Sequence, residues 1–317
     1  MVFAFLFPGQ GSAEVGMGAA LFGADPRVDD YFARASALLG RDLTRITREG
    51  PEATLVATEN AQPAIFCLAA ACYDIFRQKY DAPPAEGFYA GHSLGEYTAL
   101  YAAGAFDVDA ALRLVCLRGQ YVADAGAAAP GTMGAVLGLD DAAVEELCRE
   151  ASSAGVVVPA NYNAPGQVVV SGEAAAVAKA GELAAARGGK FTALKVSGAF
   201  HSPLVAPAAE RMKGELAAAT VAAPRGTFLP NVTAAPAATP AAIRDALYRQ
   251  IASPVRWRAT MDYMLGAGAA AAVEFGHGRV LAGLFKKVKR DLPVFNVADE
   301  ASADAAAAAL GRLARGE

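Results

Sequence analysis

The sequence predicts an α/β protein in which a small antiparallel unit interrupts a larger β/α core. Three observations carry that expectation. A G-x-S-x-G run, Gly91-His92-Ser93-Leu94-Gly95, stands between a strand-like stretch and a helix-like one, the setting of a nucleophile elbow. From Gly131 the pattern turns to strand, helix, strand, strand, helix, strand, which is the ferredoxin-like order. On either side of that segment, short apolar runs alternate with helical patterns.

Taken in order, Met1 to Pro8 reads as a first buried strand, because a run of this kind is too short and too poor in basic flanks for a signal peptide. The loop Gly9-Gln10-Gly11-Ser12 follows, then helical material to about Arg48. Gln62 to Lys79 is an apolar helix expected beneath the elbow, and Ala82-Pro83-Pro84 reads as a linker. Phe88, Tyr89 and Ala90 end the elbow strand, and Tyr97 to Ala105 continues as helix. In the small unit the strands are Met133–Leu139, Val156–Ala160, Gln167–Ser171 and Phe191–Val196, with helices at Asp141–Ala151 and Ala174–Arg187. Helix returns at Leu204–Ala219, a short strand at Thr227–Leu229, helices from Ala241 and Val255, a strand at Ala272–Phe275, and a final β/α unit. The domain reading is a core of residues 1–128 and 199–317 with an inserted unit of 129–198.

Composition narrows the function classes. The chain is 54% hydrophobic and 19% charged, enough for a large core, yet no run has the length and purity of a membrane helix. A net charge of −4 argues against general nucleic-acid binding. Cys67, Cys72, Cys116 and Cys148 lack C-x-x-C spacing and read as reduced core thiols of a cytoplasmic protein. Three histidines make a histidine-rich metal site improbable.

The elbow serine needs a base. His201 lies in the loop Ser197-Gly198-Ala199-Phe200-His201-Ser202-Pro203, and loops on a scaffold are where catalytic groups concentrate. His277, in Gly276-His277-Gly278, is the rival, whereas the side chain of His92 should diverge from its neighbour Ser93. Arg118 is read from helix geometry: at about 100° per residue, Ala111, Leu114, Val115, Tyr121 and Val122 fall within about 60° of it. It therefore projects from the apolar stripe and needs a carboxylate, a helix end or an anionic ligand. Arg113, with Asp109 one turn earlier, reads as an exposed ion pair.

Several separated motifs share one register: Phe7-Pro8-Gly9-Gln10-Gly11-Ser12, Thr58 with Gln62-Pro63-Ala64, Gly91 to Tyr97, Arg118-Gly119, Ala160-Asn161-Tyr162-Asn163 and Gly198 to Ser202. With them the chain resembles the malonyl-CoA:acyl carrier protein transacylase family over essentially its whole length. The resemblance implies a large α/β-hydrolase-like core with an inserted ferredoxin-like subdomain. It implies Ser93 as nucleophile, His201 as its base, and the N–H groups of Gln10 and Leu94 as oxyanion hole. The main-chain carbonyl of Gln250 would orient the histidine, and Arg118 would bind the malonyl carboxylate. Asn161 and Gln62 would line the pocket. No bound cofactor or metal is implied: malonyl-CoA is the substrate, and the phosphopantetheine belongs to an acyl carrier protein partner. A monomer is expected.

In related acyltransferase domains of polyketide synthases, Phe before the histidine goes with malonyl and Ser with methylmalonyl. Phe200 should accordingly crowd a methyl branch, a steric penalty of about one to a few kcal/mol. Two departures stand out: Ala13 where the family often has glutamine, and Gly276-His277-Gly278 where Gly-Pro-Gly is common. The stretch 91–106 and the run Asn231-Val232-Thr233-Ala234 also resemble discrete trans-acting acyltransferases that load polyketide synthases. An acidic carrier would meet a basic patch at Lys286, Lys287, Lys289 and Arg290, with Arg256 and Arg258. The competing readings are a serine hydrolase or editing thioesterase on the same core, and a carrier-docking scaffold without catalysis. A buried cation beside the nucleophile argues against a hydrolase of neutral acyl groups.

Overall fold

The computed structural model describes residues 1–80 and 87–317; the linker expected at Ala82-Pro83-Pro84 lies outside the described residues. The first half of the core runs β1 (Val2–Phe7), α1 (Pro26–Leu39), α2 (Leu43–Glu49), α3 (Glu52–Leu55), α4 (Thr58–Lys79), β2 (Phe88–Gly91), α5 (Gly95–Ala102) and α6 (Val108–Ala128). The small unit follows as β3 (Thr132–Leu137), α7 (Asp141–Ala151), β4 (Val157–Ala164), β5 (Gln167–Gly172), α8 (Ala174–Ala186) and β6 (Lys190–Ala193). The chain then returns to the core through α9 (Ala206–Ala218), β7 (Thr227–Phe228), α10 (Pro240–Gln250), α11 (Trp257–Gly266), β8 (Ala269–Phe275), α12 (Val280–Val288), β9 (Val294–Val297) and α13 (Glu300–Arg315).

The core sheet has the order β7-β2-β1-β8-β9, and every pairing in it is parallel. A parallel sheet is covered on both faces, so its strands read as unbroken apolar runs, as Val2–Phe7 does. Beneath it lies α4, almost wholly buried, with Phe5, Phe7, Tyr73, Phe76 and Phe275 forming one aromatic cluster. The sequence reading that this helix underlies the elbow agrees with its packing on α5. Pro63 inside α4 cannot donate to the Glu59 carbonyl; Arg41 Nη2 donates to it at 3.1 Å instead, which lets the helix continue.

The second sheet is antiparallel with the order β4-β5-β3-β6, the ferredoxin-like arrangement expected from the strand rhythm. Its last strand is shorter than the sequence suggested, ending at Ala193 and not at Val196. Ala193 already pairs with Gly134, two residues from the start of β3, so only Leu194 N to Met133 O remains before the partner strand runs out. The chain past that point, residues 194–196, lines a cavity together with Ser93. The small sheet is bolted to the core segment before α11 by a parallel bridge: Tyr162 N donates to Val255 O at 2.9 Å and Val255 N to Ala160 O at 2.8 Å. That bridge is why α11 starts at Trp257 and not at Val255. The expected Asp109–Arg113 pair does not form. Both groups find tertiary partners, Arg34 for Asp109 and Glu215 for Arg113, because neighbouring helices bring opposite charges closer than one turn of α6 does.

Candidate active site

Between β2 and α5 the chain reverses over a span too tight for side chains at two positions. A Cβ on Gly91 would lie 1.9 Å from the Gly95 carbonyl carbon, and one on Gly95 would lie 2.2 Å from the Phe7 carbonyl oxygen. Both spacings are far inside van der Waals contact, so the two glycines of the motif are steric requirements. Ser93 between them sits at φ +54°, in the left-handed region. Such strain persists only where neighbours over-determine it. Asn231 does so here: its Oδ1 accepts from Ser93 N at 2.7 Å while its Nδ2 donates to Gly91 O at 2.7 Å. The Asn231 N–H in turn donates to the buried carboxylate of Glu96.

His201 is also left-handed, at φ +57°, and points into the core from the loop before α9. Its Nε2 lies 2.7 Å from Ser93 Oγ. Its Nδ1 faces two carbonyl oxygens, Gln250 at 3.0 Å and Ser253 at 3.2 Å. Carbonyls only accept, so Nδ1 carries the proton and Nε2 presents its lone pair to the serine hydroxyl. Burial, reinforced by the Arg118 cation, pushes the imidazole down to about 3, which keeps it a neutral base.

Arg118 is 3% exposed. Its helix can approach α4 because residue 119 is glycine; a Cβ there would lie 3.1 Å from Thr58 O. Nη1 donates to Gln62 Oε1 at 2.6 Å, and Nη2 donates to Gln250 Oε1 at 2.9 Å and to Ser93 Oγ at 3.1 Å. The guanidinium carbon lies 5.8 Å from the centroid of the Tyr97 ring. No carboxylate forms an ion pair with it among the described residues. A buried cation held by neutral acceptors beside the elbow serine is suited to receive an anion.

A cavity of about 480 Å³ opens over Ser93. Gln10, Gln62, Asn161, Phe200 and Ala13 line it with Ser93, Arg118 and His201, and Met133, Val169, Leu281 and Leu284 supply apolar wall. The Gln10 side chain is tied to Thr58 Oγ1 at 3.0 Å and Val56 O at 3.3 Å, which fixes the loop carrying its N–H. Leu94 stands at the start of α5, where the turn bonds begin only with Gly95 N to His92 O.

The geometry separates the histidines. His277 is paired at the surface with Glu14, 2.8 Å away, and does not line the cavity. His92 points away from the serine hydroxyl, with Nε2 2.9 Å from Asn163 Oδ1 and its ring against Trp257. The basic residues Lys286, Lys287, Lys289, Arg290 and Arg256 are exposed, while Arg258 is half-buried and paired with Asp141. Sequence reasoning named neither the Ser253 carbonyl nor the part played by Glu96 and Asn231. Both side chains stood inside motifs it quoted, but nothing local says that residue 231 returns to residue 93.

The acyl transferase domain family matches residues 4–316 of this chain. The malonyl CoA-acyl carrier protein transacylase of Escherichia coli strain K12 is 43% identical over 306 residues, 96% of this chain and 98% of that protein. The crystal structure of an acyl-carrier-protein S-malonyltransferase from Burkholderia pseudomallei 1710b is 43% identical, with a TM-score of 0.91 over 97% of this chain and all of that one. A malonyl-transacylase solved in complex with its type II PKS acyl-carrier protein is 38% identical, with a TM-score of 0.91 over 98% of this chain and all of that one.

Proposed function

The chain belongs to the acyl transferase family, among its malonyl-CoA:acyl carrier protein transacylases, and from that membership we propose that Ser93 carries the malonyl group between coenzyme A and the carrier. It is an acyl-carrier-protein S-malonyltransferase of fatty-acid or polyketide biosynthesis. One observation carries the assignment of residues: a single serine oxygen lies within hydrogen-bond reach of both a neutral histidine and a buried arginine.

His201 Nε2 takes the hydroxyl proton as Ser93 Oγ attacks the malonyl thioester carbonyl. The oxyanion receives the N–H groups of Gln10 and Leu94. His201 returns its proton to the departing coenzyme A sulfur, leaving a malonyl ester on Ser93. The carrier's phosphopantetheine thiol then attacks that ester, giving its proton to His201, and the serine is regenerated. Arg118 holds the free carboxylate of the malonyl group throughout, with Gln62 and Gln250 fixing the guanidinium. Phe200 and Asn161 bound the space around the acyl chain.

The acyl carrier protein is the macromolecular partner, and the exposed cations of α12 with Arg256 would meet its acidic surface transiently. No helix among the described residues is long and apolar enough to cross a membrane, and the four cysteines are buried and unpaired, which suits the cytoplasm.

Intact-protein mass after brief exposure to malonyl-CoA tests the proposal. A malonyl adduct on Ser93 that passes to a holo-carrier, and that Arg118→Ala loses selectively relative to an acetyl adduct, is the expected result. An adduct released as free acid without reaching any carrier would return the site to a hydrolase.

A further inference from the structure

The Gln250 main chain serves His201, but its side chain has a separate set of partners. Oε1 accepts from Arg118 Nη2 at 2.9 Å. Nε2 donates to the Ser93 carbonyl at 2.6 Å and to Glu96 Oε2 at 3.0 Å. The whole residue is buried. One primary amide thus stands between a buried cation and a buried acid, with its donor side also gripping the strained elbow.

That placement has a directional logic. An amide orders its dipole with oxygen toward positive charge and nitrogen toward negative charge. Both Glu96 oxygens face donors, Asn231 N–H on one and Gln250 Nε2 on the other, while burial pushes the carboxyl up to about 8. Arg118 and Glu96 are therefore a cation and a buried acid joined through one amide and never in contact. Direct contact would pull the guanidinium off the serine and cancel it as an anion receptor. With the amide interposed, the guanidinium is held in place and stays aimed at Ser93 Oγ, 3.1 Å away.

We propose that the Gln250 side chain is a positioning residue that locks the Arg118 guanidinium to the Ser93 elbow, so that carboxylate recognition and the nucleophile move as one unit. This rests on the transacylase reading above. The malonyl-over-acetyl preference then depends on a side chain placed to touch neither the thioester nor the free carboxylate. Its loss should fall mainly on selection of the anionic substrate, because the main-chain carbonyl that orients His201 survives any substitution at this position.

The test compares acyl-enzyme formation from malonyl-CoA and acetyl-CoA in the parent, Gln250→Met, Arg118→Ala and the double variant, with thermal unfolding of each. In Gln250→Met the malonyl-to-acetyl ratio of kcat/KM should fall about tenfold to a hundredfold, the range for a lost hydrogen bond to a charged group, chiefly through KM for malonyl-CoA. In the Arg118→Ala background the same substitution should leave the ratio unchanged, because there is no cation left to position. If Gln250→Met does not fold, the double variant should, since the unsatisfied buried cation is gone. A ratio within twofold of the parent overturns the inference, as does a ratio change that persists without Arg118, or, should Gln250→Met fail to fold, a double variant that fails as well. A parent that forms no malonyl adduct overturns the function itself, which is a distinct result.

Discussion

Ser93 and His201 face each other across 2.7 Å, and each holds a left-handed backbone, at φ +54° and +57°. The two conformations aim the hydroxyl and the ring out of their own loops toward one point. Left-handed geometry costs a residue with a Cβ about 1–2 kcal/mol, a strain that the surrounding hydrogen bonds must offset. Glycine carries no such penalty. Ser93→Gly should therefore be about 1 kcal/mol more stable to urea than Ser93→Ala, with both variants devoid of acyl-enzyme. Equal stability of the two would show that the elbow is not strained.

The pairing of His201 with Ser93, and of His277 with Glu14, gives a contrast between two histidines. His201→Ala should slow acyl-enzyme formation by at least about 10²- to 10⁴-fold, the usual contribution of a positioned general base. His277→Ala should leave it within about twofold, as expected of a surface pair. Stopped-flow release of coenzyme A reads both rates.

Burial beside Arg118 holds the His201 imidazole down at about 3 against an ordinary value of 6.5. The unfolded chain takes up this proton as pH falls through 6.5 and the folded chain does not. Unfolding is then favoured as pH drops from about 6.5 toward 3, by up to about 1.4 kcal/mol per pH unit. Relative to a His201→Gln variant, the protein should lose stability between pH 7 and pH 5 in chemical denaturation. The pH profile of kcat/KM should likewise lack a limb near 6.5. A margin over the variant that holds constant or grows on acidification would contradict a neutral, buried His201.

Asn231 satisfies two buried backbone groups of the elbow at once, Ser93 N–H and Gly91 C=O. Asn231→Ala strips both and should destabilise the fold by about 2–6 kcal/mol, from about 1–3 kcal/mol for each orphaned group. Because the elbow itself loosens, kcat should fall more than KM. Steady-state kinetics at a temperature where the variant remains folded separates the two, and a change in KM alone would remove Asn231 from the support of the nucleophile.

Much of the molecule was legible from local pattern. The unbroken apolar run of β1, the strand order of the small unit and Gly91 of the elbow are each dictated within a few residues, by burial on two faces or by sterics, whereas Gly95 is required by the Phe7 carbonyl of β1. The apolar stripe of α6 marked Arg118 as buried before any partner was known. What stayed hidden was the end of β6, set by where its partner strand starts, and the fate of Arg113 and Asp109, set by neighbouring helices.

The sequence by itself determined the chemistry on offer: a serine held in a turn, a histidine in a loop, and an arginine on an apolar face, each specified by residues next to it in the chain. Only the tertiary structure decided which histidine serves the serine and what holds the arginine there. His201 lies 108 residues from Ser93 and Gln250 lies 132 from Arg118, so their hydrogen bonds exist only once two sheets and α10 have converged. Hydrogen bonds act over about 3 Å of space with no regard to sequence distance, and no local pattern encodes a meeting of that kind.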